Sequence, residues 1–215
     1  MVEGELLGLV LSFAFLIAVI AVGFLAKKSG LFSPESVRKI IHIGVSNWIF
    51  ISIHYFRTPW VTFLGPVTFV VANTAFVYSG ASRILGMGDR KRDNGLIYFP
   101  ISIIVLYILY YAGAILLKDV AMGVLIMGYG DGLAALVGKK IGTHRFSIMK
   151  ANKSIEGCAV MFIVSALVVL LVRDTDIAKV LIIALVATVL EAITPLGFDN
   201  ITVPIISGLL GGLLC

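Results

Sequence analysis

Charge is scarce in this chain. Only 13% of its residues are Asp, Glu, Lys or Arg, against roughly 25% in an ordinary soluble domain, and the mean hydropathy is +1.07. A surface facing water on every side needs more polar groups than this, which excludes a soluble globular protein. Cysteine is scarce too. Of the 2 present, Cys158 lies in an apolar run and Cys215 ends the chain, so no disulfide framework is indicated. The apolar stretches lack the apolar–polar alternation of a membrane β-barrel. There is no tandem repeat of about 20–50 residues and no low-complexity tract. No basic leader precedes the first apolar run, which follows Glu3 and Glu5, so that run reads as an anchor and not as a cleaved signal.

What the chain has instead is apolar runs of membrane-crossing size, about 20 residues. Residues 6–26, 58–82 and 95–117 contain no charge. Residues 40–56 carry only His42 and His54, and residues 120–138 are interrupted once, by Asp131. Three shorter runs cover 157–172, 177–193 and 201–215. The expected fold is all-α: a polytopic integral membrane protein of about eight transmembrane helices, with residues 1–215 as one domain. Asn47 and Asn73 fall within spans and are expected to bond between helices.

Lysine and arginine concentrate in three alternate loops. The first has Lys27, Lys28, Arg38 and Lys39, the second Arg83, Arg90, Lys91 and Arg92, and the third Lys139, Lys140, Arg145, Lys150 and Lys153. Such loops are cytoplasmic by the positive-inside rule, which puts both termini outside. The net charge of +5 mostly reflects these loops, which favour anionic headgroups and call for no nucleic acid. "DRKRD" at 89–93 reads as a solvated loop.

The seventh loop falls on the same side but has no lysine or arginine; it carries Glu191 and Asp199. Asp131 lies near the cytoplasmic end of its span, so three carboxylates and a cluster of cations are expected at one membrane face. Phosphate chemistry wants that meeting. Carboxylates hold Mg²⁺ or another divalent cation together with substrate phosphates, lysine and arginine neutralise phosphate oxygens, and glycines let backbone amides approach an anion. "GYGDG" beside "GKKIGTHR" supplies all three within 18 residues.

This is not a P-loop. Leu133 occupies the first glycine position, and Lys140 stands where Ser or Thr is needed. The metal candidates are Asp131, Asp199 and Glu191; the phosphate candidates are Lys139, Lys140, Arg145 and Lys150. Gly130 and Gly132 suggest a local helix break that would bring backbone groups to a ligand. Pro195 and Pro204 suggest further breaks in the seventh loop and at the start of the last span.

Each candidate also has a plainer reading. The cations can be interfacial anchors. Asp199 can cap the last helix, and Ser154 can be an N-cap with Glu156 in the first turn. Glu191 can be an end-of-helix charge. His42, four residues after Arg38 on one helical face, can be a core histidine, a headgroup contact or a proton acceptor.

"GDGLAALVGKKIGTHRF…NKSIEG" resembles the core of the CTP-dependent lipid kinases: the dolichol, phytol and farnesol kinases and the yeast-type diacylglycerol kinase. "LEAITPLGFDNITVP" is similar to a stretch near the carboxyl end of the phytol kinase branch, and "RKIIHIG" to a basic segment near that family's amino end. The core motifs lie at 128–157 and 191–204. The resemblance implies CTP as phosphoryl donor and roles for Lys153, Ser154, Glu156 and Asn200 at the nucleotide, and it favours a prenol such as phytol, geranylgeraniol or dolichol.

The function expected is phosphorylation of a lipid alcohol at the cytoplasmic face, with Asp131, Asp199 and His42 catalytic. The membrane would be the plasma membrane in a prokaryote, or the ER or a plastid membrane in a eukaryote, and a homo-oligomer is compatible. Two rivals stand beside it. The phosphatidate cytidylyltransferases share a version of the central stretch, but their carboxyl-terminal signature is missing here. A transporter would also carry intramembrane charge, though no inverted repeat is visible.

Overall fold

The structure is a computed structural model that describes residues 2–85, 89–148 and 151–215. Its helices are α1 (Glu5–Lys28), α2 (Pro34–Ser46), α3 (Trp48–Tyr55), α4 (Pro59–Tyr78), the short α5 (Arg90–Asp93), α6 (Gly95–Tyr111), α7 (Leu117–Leu125), α8 (Gly132–Ile141), α9 (Ile155–Val172), α10 (Ile177–Ile193) and α11 (Asp199–Leu214). A single π-helical segment, Ile126–Asp131, joins α7 to α8 without interrupting the helix.

Every apolar run is helical, and the run at 40–56 divides into α2 and α3 at Asn47. Five helices are long and apolar enough to cross a membrane: Glu5–Lys28, Pro59–Tyr78, Lys91–Tyr111, Leu117–Ile141 and Ile155–Val172. The remaining long apolar helices, α10 and α11, have 17 and 16 residues.

The expectation of an all-helical chain misses one feature, an antiparallel hairpin of β1 (Arg145–Ile148) and β2 (Ala151–Ser154). This stretch is too polar to enter lipid and too short in apolar residues to form a buried helix face. Pairing Phe146 with Lys153 and Ser147 with Asn152 satisfies its backbone groups locally.

The Leu117–Ile141 helix sits at the centre. Val120, Met122, Val124, Ile126 and Met127 are fully buried, and α2, α6, α9 and α11 pack around it. The contacts depend on missing side chains, as close helix packing in lipid does. A Cβ on Gly123 would lie 2.3 Å from the Pro204 carbonyl oxygen of α11. By contrast α1 is apolar all round, and Leu6, Val10, Ile17, Val22 and Leu25 are exposed. A helix of that kind belongs against lipid.

Polar side chains repair the backbone where the fold leaves it open. Pro100 inside α6 cannot donate to the Leu96 carbonyl one turn earlier, and Asn73 Nδ2 of α4 donates to that oxygen at 2.7 Å. Asn47 Oδ1 accepts from the Tyr129 hydroxyl of the π segment at 2.8 Å. Both asparagines therefore bond between helices. Pro204 does not break the last helix, which runs unbroken through Asp199–Leu214. The seventh loop does turn sharply, with positive φ at Leu196 (59°) and Gly197 (85°).

At one end of the bundle, the buried Glu5 carboxylate accepts from the backbone N–H of Val2, Arg57 and Thr58. At the same end Asp119 accepts from the Leu116 N–H at 2.8 Å and lies 3.4 Å from Arg173 Nη1. Replacing Asn73 by Leu leaves the Leu96 carbonyl without its donor. The expected cost is about 1–3 kcal/mol, read as a lowered Tm in detergent, with Asn73→Gln retaining part of the loss.

Candidate active site

At the opposite end, the starts of α2, α9 and α11 and the ends of α8 and α10 meet the hairpin around a polar cavity of about 540 Å³. Capping residues set two of these starts. Ser33 accepts from the Ser36 N–H, with Pro34 at the first helical position, and Ser154 accepts from the Gly157 N–H at 3.1 Å. Both follow the usual chemistry of helix N-termini.

Three of the carboxylates that line the cavity are buried: Asp131 is 1% exposed, Glu191 3% and Asp199 8%. Lys39 Nζ donates directly to Asp131, joining α2 to the central helix, and Lys153 Nζ donates to Glu191, joining the hairpin to α10. Asp199 Oδ1 accepts from the Asn200 backbone N–H at 2.9 Å and from its side-chain Nδ2 at 2.8 Å. Burial works against the charged form of Lys153, but the carboxylates of Glu191, Asp131 and Asp199 outweigh it and hold the ammonium pKa above its ordinary value. Lys153 thus stands among all three carboxylates. Lys139, Arg145 and Arg92 line the cavity farther out. Arg92 reaches Glu35 at 2.8 Å.

The structure therefore gathers Asp131, Glu191, Asp199, Lys139, Arg145, Lys153 and Ser154 around one space. Other expected residues stand elsewhere. Lys140 is exposed at the end of α8. Gly130 and Gly132 are packing positions in an unbroken helix, and they do not present backbone to the cavity. A Cβ on Gly130 would lie 2.6 Å from Met161 Sδ, and one on Gly132 would lie 2.3 Å from Ile43 Cγ1. In place of the expected break stands a widened π turn, a feature frequent at functional sites.

Glu156 anchors the segment before the hairpin. It accepts from the backbone N–H groups of Thr143 and His144 and from the Thr143 hydroxyl. Asn200 braces Asp199 and also donates to the Gly197 carbonyl at 3.1 Å. His42 lines a second, apolar pocket. Lys150 lies outside the described residues.

Among the cavity residues that the sequence does not single out as site candidates are Lys39, Glu35 and Arg92. Lys39 is 92 residues from Asp131 along the chain, and its one signal was the family-like "RKIIHIG". Arg92 belongs to the stretch read as solvated loop; its pairing with Glu35 of α2 is a tertiary contact with no local signature.

A polar space that offers buried carboxylates, lysines already paired to them and guanidinium groups farther out is suited to holding a polyphosphate. The chain is 32% identical over 209 residues to a phytol kinase of Synechocystis sp., a match covering 93% of this chain and 88% of that one. It is 28% identical over 207 residues to a probable chloroplastic phytol kinase of Triticum aestivum, covering 82% of this chain and 66% of that protein. A shorter match, 34% over 98 residues, joins 43% of this chain to 19% of a dolichol kinase of Schizosaccharomyces pombe. No family model matches, and no solved structure matches. With such a relative aligned over most of both sequences, the chain belongs to the lipid-alcohol kinase family that includes phytol kinase and dolichol kinase, and it is a phosphotransferase.

Proposed function

We propose that this kinase transfers the γ-phosphoryl group of CTP to the hydroxyl of a prenol-type lipid alcohol, of the phytol, geranylgeraniol or dolichol kind. The reaction would take place in the polar cavity, which would face the cytoplasm. The observation that carries the reading is the buried set of carboxylates already paired with Lys39 and Lys153 in a space large enough for a triphosphate. The names of the relatives support the acceptor class. CTP rests on the family resemblance of residues 128–157.

Lys39 and Lys153 exchange carboxylate partners for phosphate oxygens when the nucleotide binds. Lys139, Arg145 and Arg92 draw the polyphosphate in from the rim. Asp199 is held ready by Asn200. Mg²⁺ fits the donor set, because Asp131 and Asp199, with Glu191 beside them, offer hard carboxylate oxygens. Mg²⁺ commonly takes one or two carboxylates plus substrate phosphates, and Asp131 and Asp199 can supply those carboxylates. Held by Asp131 and Asp199, it would supply positive charge to offset the charge that develops on the phosphate oxygens during transfer. The protein's own share is positioning and electrostatics.

Residues 1–215 serve as one membrane domain, since the cavity draws on side chains from Glu35 to Asp199. Eight passes with both termini outside agree with the three basic loops, and the host is the plasma membrane, the ER or a plastid membrane.

The central test uses purified protein in detergent with Mg²⁺, γ-labelled CTP and a prenol panel. Wild type yields labelled lipid monophosphate, and Asp131→Asn lowers kcat by about 10²-fold or more with Tm retained. Full activity in that variant removes Asp131 from the site. EDTA abolishes the label and excess MgCl₂ restores it; turnover that persists in EDTA rules out the metal role. For topology, in a Cys158→Ala background Cys215 reacts with an impermeant maleimide on intact cells, whereas Lys140→Cys in a Cys158→Ala, Cys215→Ala background reacts only after permeabilisation. The opposite pattern inverts the orientation.

A further inference from the structure

We infer that the apolar pocket between α1, α2, α4 and α6 receives the hydroxyl end of the lipid alcohol's chain, with the hydroxyl donating to His42 Nε2. This rests on the kinase reading above and adds where the acceptor lies.

The pocket has a volume of about 80 Å³, and its walls include Leu16, Ile20, Ile41, Phe69 and Ile103. Two polar residues besides backbone line it, His42 and Asn73, and Asn73 is already committed to the Leu96 carbonyl. His42 is 9% exposed, with its ring 4.4 Å from that of Phe99. The ring stands close to the Met127 backbone, and Nε2 has no hydrogen-bond partner among the described residues. A neutral imidazole carries its one N–H on one nitrogen and a lone pair on the other. Buried acceptors are rarely left open, and the surrounding walls are apolar. A hydroxyl on a hydrocarbon tail satisfies both demands.

Position links this pocket to the cavity. Lys39 and His42 are three apart on α2 and so share a face. Lys39 meets Asp131 and His42 meets Met127, four residues earlier on the central helix. The imidazole therefore sits about one helical turn deeper in the bundle than the Lys39–Asp131 pair. At the pocket's rim Ile20 is 44% exposed on α1, the helix with the most apolar surface, so a prenol can enter sideways from lipid.

In the transfer, the alcohol oxygen forms its bond to the γ-phosphorus as the bond from that phosphorus to the nucleoside diphosphate oxygen breaks. The diphosphate leaves with the electron pair. The hydroxyl proton passes to Nε2, and from there to solvent.

The test pairs activity with a binding readout. A geranylgeraniol analogue carrying a diazirine on its first isoprene unit is photolysed with the intact protein, without nucleotide. Label is expected on Ile20, Phe69 or Ile103 and is displaced by unlabelled geranylgeraniol. Ile20→Trp narrows the rim without repacking the core; it should lose the label and raise KM for geranylgeraniol at least tenfold, with nucleotide KM unchanged. His42→Gln should lower kcat by about 10²-fold. Displaceable label elsewhere on the bundle, or wild-type turnover by both variants, overturns the pocket and leaves the kinase reading intact. Failure of the wild type to phosphorylate any prenol overturns the kinase reading and the pocket with it.

Discussion

A carboxylate buried among apolar helices must be met by a donor or a cation, and both ends of this bundle are built around that demand. An ionised Asp within a span costs about 2.5–3.5 kcal/mol on insertion scales if nothing answers it at the centre. At the end holding both described termini, the answer is permanent. Backbone N–H groups of Val2, Arg57 and Thr58 close around Glu5, and Arg173 with the Leu116 N–H closes around Asp119. These groups fix where α1, α4 and α7 begin.

At the other end the answer is replaceable. Lys39 and Lys153 sit on flexible stems, their carboxylate partners line a space of about 540 Å³, and further cations stand at its rim. Ion pairs of this kind can trade partners with an arriving phosphate, whereas a backbone cap cannot. The difference between the two ends is one of exchangeability, since the carboxylates at both are buried.

The central helix makes the polar end reachable. Small residues let α2, α9 and α11 approach it closely, and the π turn before Asp131 sets that side chain against α2. The glycines flanking Asp131 thus act through packing. Their absent Cβ atoms admit Met161 and Ile43, and the asparagines at 47 and 73 tie up polar groups that lipid would leave open.

Hydropathy by itself determined that the chain is a helical membrane protein and where its helices run, because burial in lipid demands unbroken apolar stretches with internally satisfied backbone. Charge also made Asp131, Glu191 and Asp199 legible as a group, since an acidic loop on a basic side stands out in the linear order. Only the tertiary structure decided which cation meets which carboxylate. Lys39 and Asp131 are 92 residues apart, and the pair exists because α2 packs on the π segment, a contact that no local pattern encodes. The same holds for Arg92 with Glu35 and for the separation of His42 from the polar cavity. Residue type tells what chemistry is available, whereas helix packing decides which of those groups share a space.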